Sequence, residues 1–198
     1  MFVTGLVLAA GSSDRMGRPK QLLPFRGETL LDATLQTARA CDFDQLVVTL
    51  GGAADQIRER VDLVGVDIAE NPAFGTGCSS SIARALSDVD ARAGGIVLML
   101  GDQPNVSPDS VRALVAASGP PTVGICRYRD GLGHPFWFGR DIFDDLTGLH
   151  GDKGVWKLLE SGRHQVTEVT TPGDVPADVD TSEDYERLLA VDDERASR

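Results

Sequence analysis

The fold class is indicated first by Val3-Thr4-Gly5-Leu6-Val7-Leu8-Ala9, a mostly apolar run that continues into Ala10-Gly11-Ser12-Ser13-Asp14-Arg15-Met16-Gly17-Arg18-Pro19-Lys20. Residues 3–9 have the length and apolar character of a strand buried on both faces, which is typical of a parallel sheet covered by helices. The small residues that follow allow a tight loop with free backbone N–H groups. A buried strand that ends in such a loop is typical of α/β domains that bind ligands at the edge of the sheet.

Further runs of strand length alternate with helical patterns along the chain. Strands are predicted at residues 46–50, 64–68, 96–100, 123–126, 135–138 and 166–169. Helices are predicted after a Thr29–Asp32 capping box, from Pro108 after an N-cap at Ser107, and at residues 81–86, 153–159 and 183–189. The alternation predicts one doubly wound α/β domain over residues 1–190, with a mostly parallel sheet and helices on both faces. The acidic segment 191–198 is predicted to be a flexible tail.

Composition limits the partners of this protein. The 198 residues include 19 Lys and Arg against 30 Asp and Glu, a net charge of −11. Because such a surface repels phosphate backbones and anionic headgroups, neither nucleic acid nor a membrane is expected as a partner. Apolar runs are shorter than the ~20 residues of a membrane helix, and no basic segment precedes the first of them. The three cysteines contain no Cys-x-x-Cys pair, so a cytoplasmic location is predicted.

Cations are concentrated in the loop after the first strand. Arg15, Arg18 and Lys20 fall within six positions of an otherwise acidic chain, which predicts a bound polyanion, most simply a triphosphate. The spacing matches neither G-x-G-x-x-G nor a P-loop, because five residues separate Gly11 from Gly17 and Arg18-Pro19 follows. A dehydrogenase and a P-loop ATPase are therefore not supported. A solvated turn with incidental charges is the alternative interpretation.

Two aspartates are predicted to hold a metal ion. Asp102 directly follows the run at 96–100, and Asp180 precedes the last helix. Since Mg²⁺ binds through one or two carboxylates plus substrate phosphate oxygens, these residues are natural partners if the fold brings them together. Otherwise Asp102 starts a turn and Asp180 caps a helix. Ligands of such folds lie beyond the carboxyl ends of strands, so functional residues are expected just after Ala9, Ile68, Leu100 and Phe138.

Together these residues resemble the nucleotidyltransferases that act on molybdopterin. Residues 8–20 are similar to that family's Leu-Ala-Ala-Gly-x-Ser-x-Arg-Met-Gly-x-x-Lys signature, without a gap. Further similar blocks follow in order: Asn71-Pro72, Gly77-Cys78-Ser79-Ser80-Ser81, Asp102-Gln103-Pro104, Gly133-His134-Pro135, Gly151-Asp152-Lys153-Gly154 and Asp180-Thr181-x-Glu183-Asp184. The Gly-His-Pro and Gly-Asp-Lys-Gly blocks narrow the resemblance to molybdenum cofactor cytidylyltransferases, over nearly the whole chain.

The resemblance implies a Rossmann-like domain that binds CTP and Mg²⁺ and transfers CMP to the terminal phosphate of molybdopterin, with release of pyrophosphate. The recipient of the product would be a molybdenum hydroxylase or its maturation factor. Nucleotide contacts are implied for Leu8, Ala9, Ala10, Gly11, Ser12, Lys20, Ser79, Ser80 and Ser81. Catalytic roles are implied for Arg15, Lys20 and Asp102, metal binding for Asp102 and Asp180, and acceptor binding for His134 and Asp152.

Two positions bear on the substrates. Guanylyl members usually have a second glycine where Ala10 stands, so Ala10 favours CTP. Trp156 stands where relatives commonly have arginine, near the acceptor. The alternatives are a guanylyltransferase for the same cofactor, a nucleotidyltransferase for a sugar or isoprenoid phosphate, and a non-catalytic cofactor carrier for molybdenum enzyme maturation. A carrier needs no metal-supported displacement, so the joint presence of the cations and aspartates argues against it.

Overall fold

The computed structural model of the protein describes residues 1–117 and 122–196. Its strands are β1 (Phe2–Ala9), β2 (Pro24–Phe25), β3 (Glu28–Thr29), β4 (Gln45–Leu50), β5 (Asp67–Glu70), β6 (Ala93–Leu100), β7 (Val123–Arg127), β8 (Leu132–Gly139) and β9 (Val166–Thr170). Its α-helices are α1 (Leu30–Arg39), α2 (Ala54–Arg60), α3 (Cys78–Leu86), α4 (Pro108–Ala117), α5 (Phe143–Thr147), α6 (Gly154–Glu160) and α7 (Ser182–Ala196).

Seven strands form one sheet in the order β5-β4-β1-β6-β8-β7-β9, and β2 pairs with β3 in a separate hairpin. Strand β1 is parallel to both β4 and β6, β4 is parallel to β5, and β7 is parallel to β9. Strand β8 runs antiparallel to β6 and β7. The predicted class, a doubly wound and mostly parallel sheet of the Rossmann-like type, is confirmed.

Helices cover both faces of the sheet because side chains alternate along each buried strand. Val7 of β1 and Met99 of β6 face a cluster covered by α1, α2 and α4. Leu6 and Leu98 face the opposite cluster, which is covered by α3, α5 and α6. The capping box predicted at the start of α1 is present, with Thr29 Oγ1 accepting a hydrogen bond from the backbone N–H of Asp32.

Some elements differ from the prediction. The strand predicted at 64–68 begins at Asp67, because the chain first makes a turn in which Val66 N donates to Leu63 O. Helices α2 and α5 and the β2–β3 hairpin were not predicted. Helix α7 continues into the segment predicted as a tail, where Asp192 accepts a hydrogen bond of 3.0 Å from Nε of Arg26. Residues 197 and 198 of that segment lie outside the described residues.

The direction of β8 corrects one expectation about the site. Residues just after Phe138 were expected at the ligand edge, on the assumption that β8 is parallel to its neighbours. Because β8 is antiparallel, with Phe136 opposite Leu98 and Gly139 opposite Gly95, its carboxyl end lies at the other edge. The start of β8, with His134, lies instead beside the ends of β1 and β6. In the described parts of the chain, no helix has the length and apolar character needed to cross a membrane.

Candidate active site

A cleft of about 1020 Å³ opens at the edge of the sheet where β1 and β6 end. It is bounded by the loop after β1, the starts of α3, β8 and α6, and the segment before α7. The residues predicted for the site that line it are Leu8, Ala9, Ala10, Gly11, Ser12, Arg15, Lys20, Ser81, Asp102, His134, Asp152 and Asp180. Residues from distant parts of the sequence therefore share one cavity.

The loop after β1 is held by a side chain that sequence reasoning missed. The buried amide of Gln21 donates hydrogen bonds from Nε2 to the carbonyl oxygens of Ala9, at 2.7 Å, and Gly11, at 3.1 Å. Ser13 adopts a left-handed conformation with φ of 57°, and its Oγ accepts a hydrogen bond from Lys20 N at 3.0 Å. These bonds fix the backbone that faces the cleft. Gln21 adjoins the signature motif, but the sequence contains no signal that its amide is buried.

The two predicted metal ligands meet at one lysine. Nζ of Lys20 donates to Asp102 Oδ2 at 2.6 Å and to Asp180 Oδ1 at 3.0 Å. The two carboxylate oxygens can be no farther apart than the sum of these distances. Arg15 donates to the second oxygen of Asp180 at 2.7 Å. We call these four residues, Arg15, Lys20, Asp102 and Asp180, the charged end of the cleft.

Burial and charge act against each other in the charged end. Burial alone lowers the pKa of Lys20, but Asp102 and Asp180 outweigh it, and the pKa lies above its usual value. Burial likewise raises the pKa of Asp180, but its bonds to Lys20 and Arg15 bring it below the usual value. Lys20 and Asp180 therefore both keep their charges at neutral pH.

Asp178 is a third carboxyl group in the cleft, and it was not predicted as a site residue. Burial, followed by repulsion from Asp102, raises its pKa to about 6. Its Oδ1 accepts a hydrogen bond of 2.7 Å from Nε2 of Gln103. The alternation of Asp178 and Asp180 around Val179 is the signal in the sequence, since alternate residues of an extended segment point to the same side.

Of the three serines at the start of α3, Ser81 lines the cleft and the other two lie outside its lining. Ser81 lines the cleft, and its Oγ accepts a hydrogen bond from Asn71 Nδ2 at 3.0 Å. Ser79 instead donates to Gly151 O at 2.6 Å, and Ser80 donates to Gly77 O at 2.8 Å. These hydroxyl groups join α3 to neighbouring segments in the protein alone, and the nucleotide contacts of Ser79 and Ser80 stay a prediction.

The Gly-Asp-Lys-Gly block borders the cleft and contacts the start of α3. Asp152 Oδ1 accepts a hydrogen bond from Cys78 N at 3.0 Å, at the first residue of α3. A Cβ at Gly77, whose φ is +109°, would lie 2.8 Å from the backbone of Gly151. A Cβ at Gly154 would lie 2.4 Å from Ser79 Oγ. Gly77 is required because two backbone segments meet here at a positive φ, and Gly154 leaves room for the hydroxyl group of Ser79.

Aromatic rings line another part of the cleft. The ring of His134 stacks on that of Phe136, with 4.0 Å between the ring centroids. The rings of Phe136 and Trp156 pack edge-to-face, with 5.3 Å between their centroids. Burial lowers the pKa of His134 to about 3, so its imidazole is neutral at physiological pH. We call His134, Phe136 and Trp156 the aromatic end of the cleft. Phe136 and Trp156 were not predicted as site residues.

Cys78 lines the cleft at the start of α3, but its chemistry is that of an ordinary small side chain. Burial raises the pKa of its thiol to about 11, and the charges of Asp152 and Asp102 act in the same direction. The thiolate is the nucleophilic form of cysteine, and a thiol with such a raised pKa forms little thiolate at neutral pH. Covalent catalysis by Cys78 is therefore not supported.

The chain is similar to several known proteins over nearly its whole length. The chain is 32% identical over 202 residues to purine catabolism protein PucB of Bacillus subtilis, covering 94% of this chain and 96% of that protein. It is 29% identical over 197 residues to nicotine blue oxidoreductase of Paenarthrobacter nicotinovorans, again covering 94% of this chain and 96% of that protein. Rv0371c of Mycobacterium tuberculosis, solved in complex with manganese, is 52% identical with a TM-score of 0.85, over 96% of this chain and 99% of that one.

A family model described as the MobA-like NTP transferase domain matches residues 5–168. The matched region includes the loop after β1, Lys20, Asp102, His134 and the Gly-Asp-Lys-Gly block, while Asp178 and Asp180 follow it. The match covers most of the chain and all of the main sheet except the start of β1 and the end of β9. The protein therefore belongs to the MobA-like NTP transferase family.

Proposed function

We propose that this protein transfers CMP from CTP to the terminal phosphate of molybdopterin. An oxygen of the acceptor phosphate attacks the α-phosphorus of CTP, the bond from that phosphorus to the bridging oxygen breaks, and pyrophosphate leaves. The observation that carries the proposal is that Lys20, Asp102 and Asp180 converge beside the loop after β1. Membership of an NTP transferase family supports the same chemistry.

The charged end is proposed to hold the triphosphate. The backbone N–H groups of the loop after β1, fixed by Gln21, supply donors to phosphate oxygens. Arg15 and Lys20 supply positive charge, and Lys20 stabilises the charge that develops at the α-phosphate. In the protein alone, both cations are directed toward Asp180. Nucleotide binding would exchange part of these contacts for phosphate oxygens.

Asp102 and Asp180 are proposed to hold Mg²⁺. Their oxygens both face Nζ of Lys20 in the protein alone, and they are hard donors, which is the ligand type that Mg²⁺ prefers. In the described residues, no group of three or more His, Cys, Asp or Glu side chains is placed to hold an ion. Two carboxylates completed by phosphate oxygens fit this arrangement. Bound there, Mg²⁺ would neutralise negative charge on the phosphates. The manganese complex of Rv0371c supports a divalent ion.

The aromatic end, with Asp152, is proposed to receive the acceptor. A neutral imidazole stacked on Phe136 and a neighbouring indole suit a flat pterin ring better than a sugar or an isoprenoid chain. Lys153 is exposed at the border of the cleft and supplies a cation on this side. The recipient of the product is proposed to be a molybdenum hydroxylase or its maturation factor.

CTP is proposed as the nucleotide because of the backbone around Ala10. Ala10 is buried, and a Cβ at Gly51 would come within 2.3 Å of its carbonyl oxygen, so the two segments are in close contact. That contact limits the backbone shift that a purine beside the Ala10 methyl group would require. Transfer of GMP to the same acceptor is the alternative that this observation disfavours.

The test is pyrophosphate release from each of the four nucleoside triphosphates, with molybdopterin as acceptor and mass spectrometry of the product. We expect release with CTP and a product of molybdopterin plus CMP. EDTA should abolish the reaction, and Mg²⁺ or Mn²⁺ should restore it. A product formed with GTP alone would overturn the choice of nucleotide. Transfer to a sugar or isoprenoid phosphate, but not to molybdopterin, would overturn the choice of acceptor. Binding without pyrophosphate release would identify a carrier.

A further inference from the structure

The segment that carries Asp180 needs an external support. Residues 176–180, which we call the C-terminal strap, lie between β9 and α7 and adopt an irregular conformation. Their position cannot come from a strand ladder or a helix, so it depends on contacts with other elements. Besides the hydrogen bonds of Asp180 with Arg15, Lys20 and Asp184, the strap is held through Gln103 and through Val179.

On one side, the strap is held by Gln103. Both hydrogen bonds come from its Nε2, to Pro176 O at 2.8 Å and to Asp178 Oδ1 at 2.7 Å. Gln103 is 2% exposed, so its amide group lies inside the protein, whereas its acceptor Asp178 is exposed. On the other side, Val179 is fully buried in a cluster with Leu23 and Phe25. The strap is therefore held between an amide and an apolar pocket.

The orphaned oxygen of Gln103 indicates that this arrangement serves more than stability. Its Oε1 is buried and has no hydrogen-bond partner among the described residues. Leaving such an atom unpaired destabilises the folded protein, and an apolar side chain of similar size would avoid the penalty. What only the amide provides is the pair of N–H bonds that hold the strap.

Gln103 is also adjacent to Asp102 in the same turn. Gln103 N donates to Leu100 O at 3.2 Å, which fixes the turn at the end of β6. One short stretch of backbone thus carries both Asp102 and the group that holds the strap, and the strap carries Asp180. Any displacement of the strap from Gln103 changes the separation of the two aspartates.

We infer that Gln103 is a positioning residue, which fastens the C-terminal strap through Asp178 and Pro176 and thereby sets the separation of Asp102 and Asp180. This inference rests on the proposed function only in assigning a divalent ion to the two aspartates. Asp178 acts here as a hydrogen-bond acceptor for Gln103. Its negative charge is not required for that role.

Two measurements test this inference without use of the transfer reaction. The first is hydrogen exchange of residues 172–181, and the second is the affinity for Mn²⁺ alone by calorimetry. Gln103→Met and Asp178→Ala should both speed exchange in the strap and weaken Mn²⁺ binding by about tenfold, as for other residues that orient metal ligands. Asp178→Asn keeps an acceptor oxygen and should resemble the parent protein. The Gln103→Met/Asp178→Ala double variant should be no weaker than either single variant.

Gln45→Met is a control for the loss of a glutamine that donates two hydrogen bonds. Gln45 also donates two hydrogen bonds from Nε2, to Asp67 Oδ2 at 2.8 Å and Asp88 O at 2.9 Å, but at the opposite edge of the sheet. The Gln45→Met substitution should leave hydrogen exchange in the strap and the affinity for Mn²⁺ unchanged. The inference is overturned if Asp178→Asn weakens Mn²⁺ binding as much as Asp178→Ala, if the two losses add, or if Gln103→Met leaves exchange in the strap unchanged. Absence of Mn²⁺ binding in the parent protein would count against the proposed metal site, and hydrogen exchange would still decide the role of Gln103.

Discussion

The charged end and the aromatic end of the cleft are built from different kinds of contact. In the charged end, Lys20 joins two carboxylates through hydrogen bonds of 2.6 and 3.0 Å. In the aromatic end, His134, Phe136 and Trp156 meet through ring contacts of 4.0 and 5.3 Å, with a neutral imidazole. Phosphates are common to all nucleoside triphosphates, whereas a ring surface distinguishes one acceptor from another. Under the proposed function, the comparison therefore separates the groups proposed to perform the transfer from those proposed to select the acceptor.

The largest effect is expected from Asp102→Asn. The substitution keeps the shape of the side chain, which is 9% exposed, but removes the charge that faces Lys20 and the proposed metal. We expect turnover to fall by about 100-fold or more, with little change in melting temperature. Pyrophosphate release measures the effect. Asp109→Asn, which removes an exposed carboxylate on α4, is the control. Parent-like turnover in Asp102→Asn would remove Asp102 from the mechanism.

Lys20→Ala should slow the chemical step itself. Without Nζ, charge that develops at the α-phosphate loses a donor, and we expect a single-turnover rate about 100-fold lower at saturating CTP. Lys157→Ala, an exposed lysine on α6, should match the parent protein. If Lys20→Ala raised only the KM for CTP, Lys20 would act in binding and the charged end would not be the catalytic part of the cleft.

Trp156→Ala should affect the acceptor and leave the nucleotide unchanged. Loss of a ring against which a heterocycle stacks should raise the KM for molybdopterin about tenfold, with the KM for CTP unaltered. The chain has two tryptophans, and Trp137 is fully buried, so quenching of fluorescence by the acceptor should come from Trp156 and disappear in Trp156→Phe. An equal rise in both KM values would show that the two ends are not separate in function.

The smallest effect is expected from substitution of His134, and it concerns the pH dependence of the free energy of unfolding. Burial lowers its pKa from 6.5 to about 3 in the folded protein, so the unfolded chain binds an additional proton between these values. The free energy of unfolding should therefore fall as the pH drops from about 6.5 toward 3. Urea titrations at pH 7 and pH 5 should show a smaller loss for His134→Phe than for the parent protein. The exposed His150 provides a control, since His150→Gln should follow the parent. A larger loss in His134→Phe would mean that the imidazole is charged.

Much of the charged end could be predicted because each of its residues stands in a short stretch of sequence that can be recognised by itself. The loop signature contains both cations, and the aspartates stand beside recognisable element boundaries. The side chains that hold these groups in place could not be predicted. Gln21 and Gln103 are ordinary polar residues in the sequence, and their roles depend on carbonyl groups that only the folded chain brings near. The aromatic end was predicted in part, through His134.

The sequence by itself determined the class of the fold, because apolar runs and helical periods record which faces are buried. It also predicted that the loop binds a polyanion, because charge spacing is a local property. The tertiary structure decided the direction of β8, and with it that the start of this strand meets the ends of β1 and β6. It also decided that Ser79 and Ser80 support α3 while Ser81 faces the cleft. Strand direction and side-chain partners depend on contacts between segments far apart in the chain, and no local pattern encodes them.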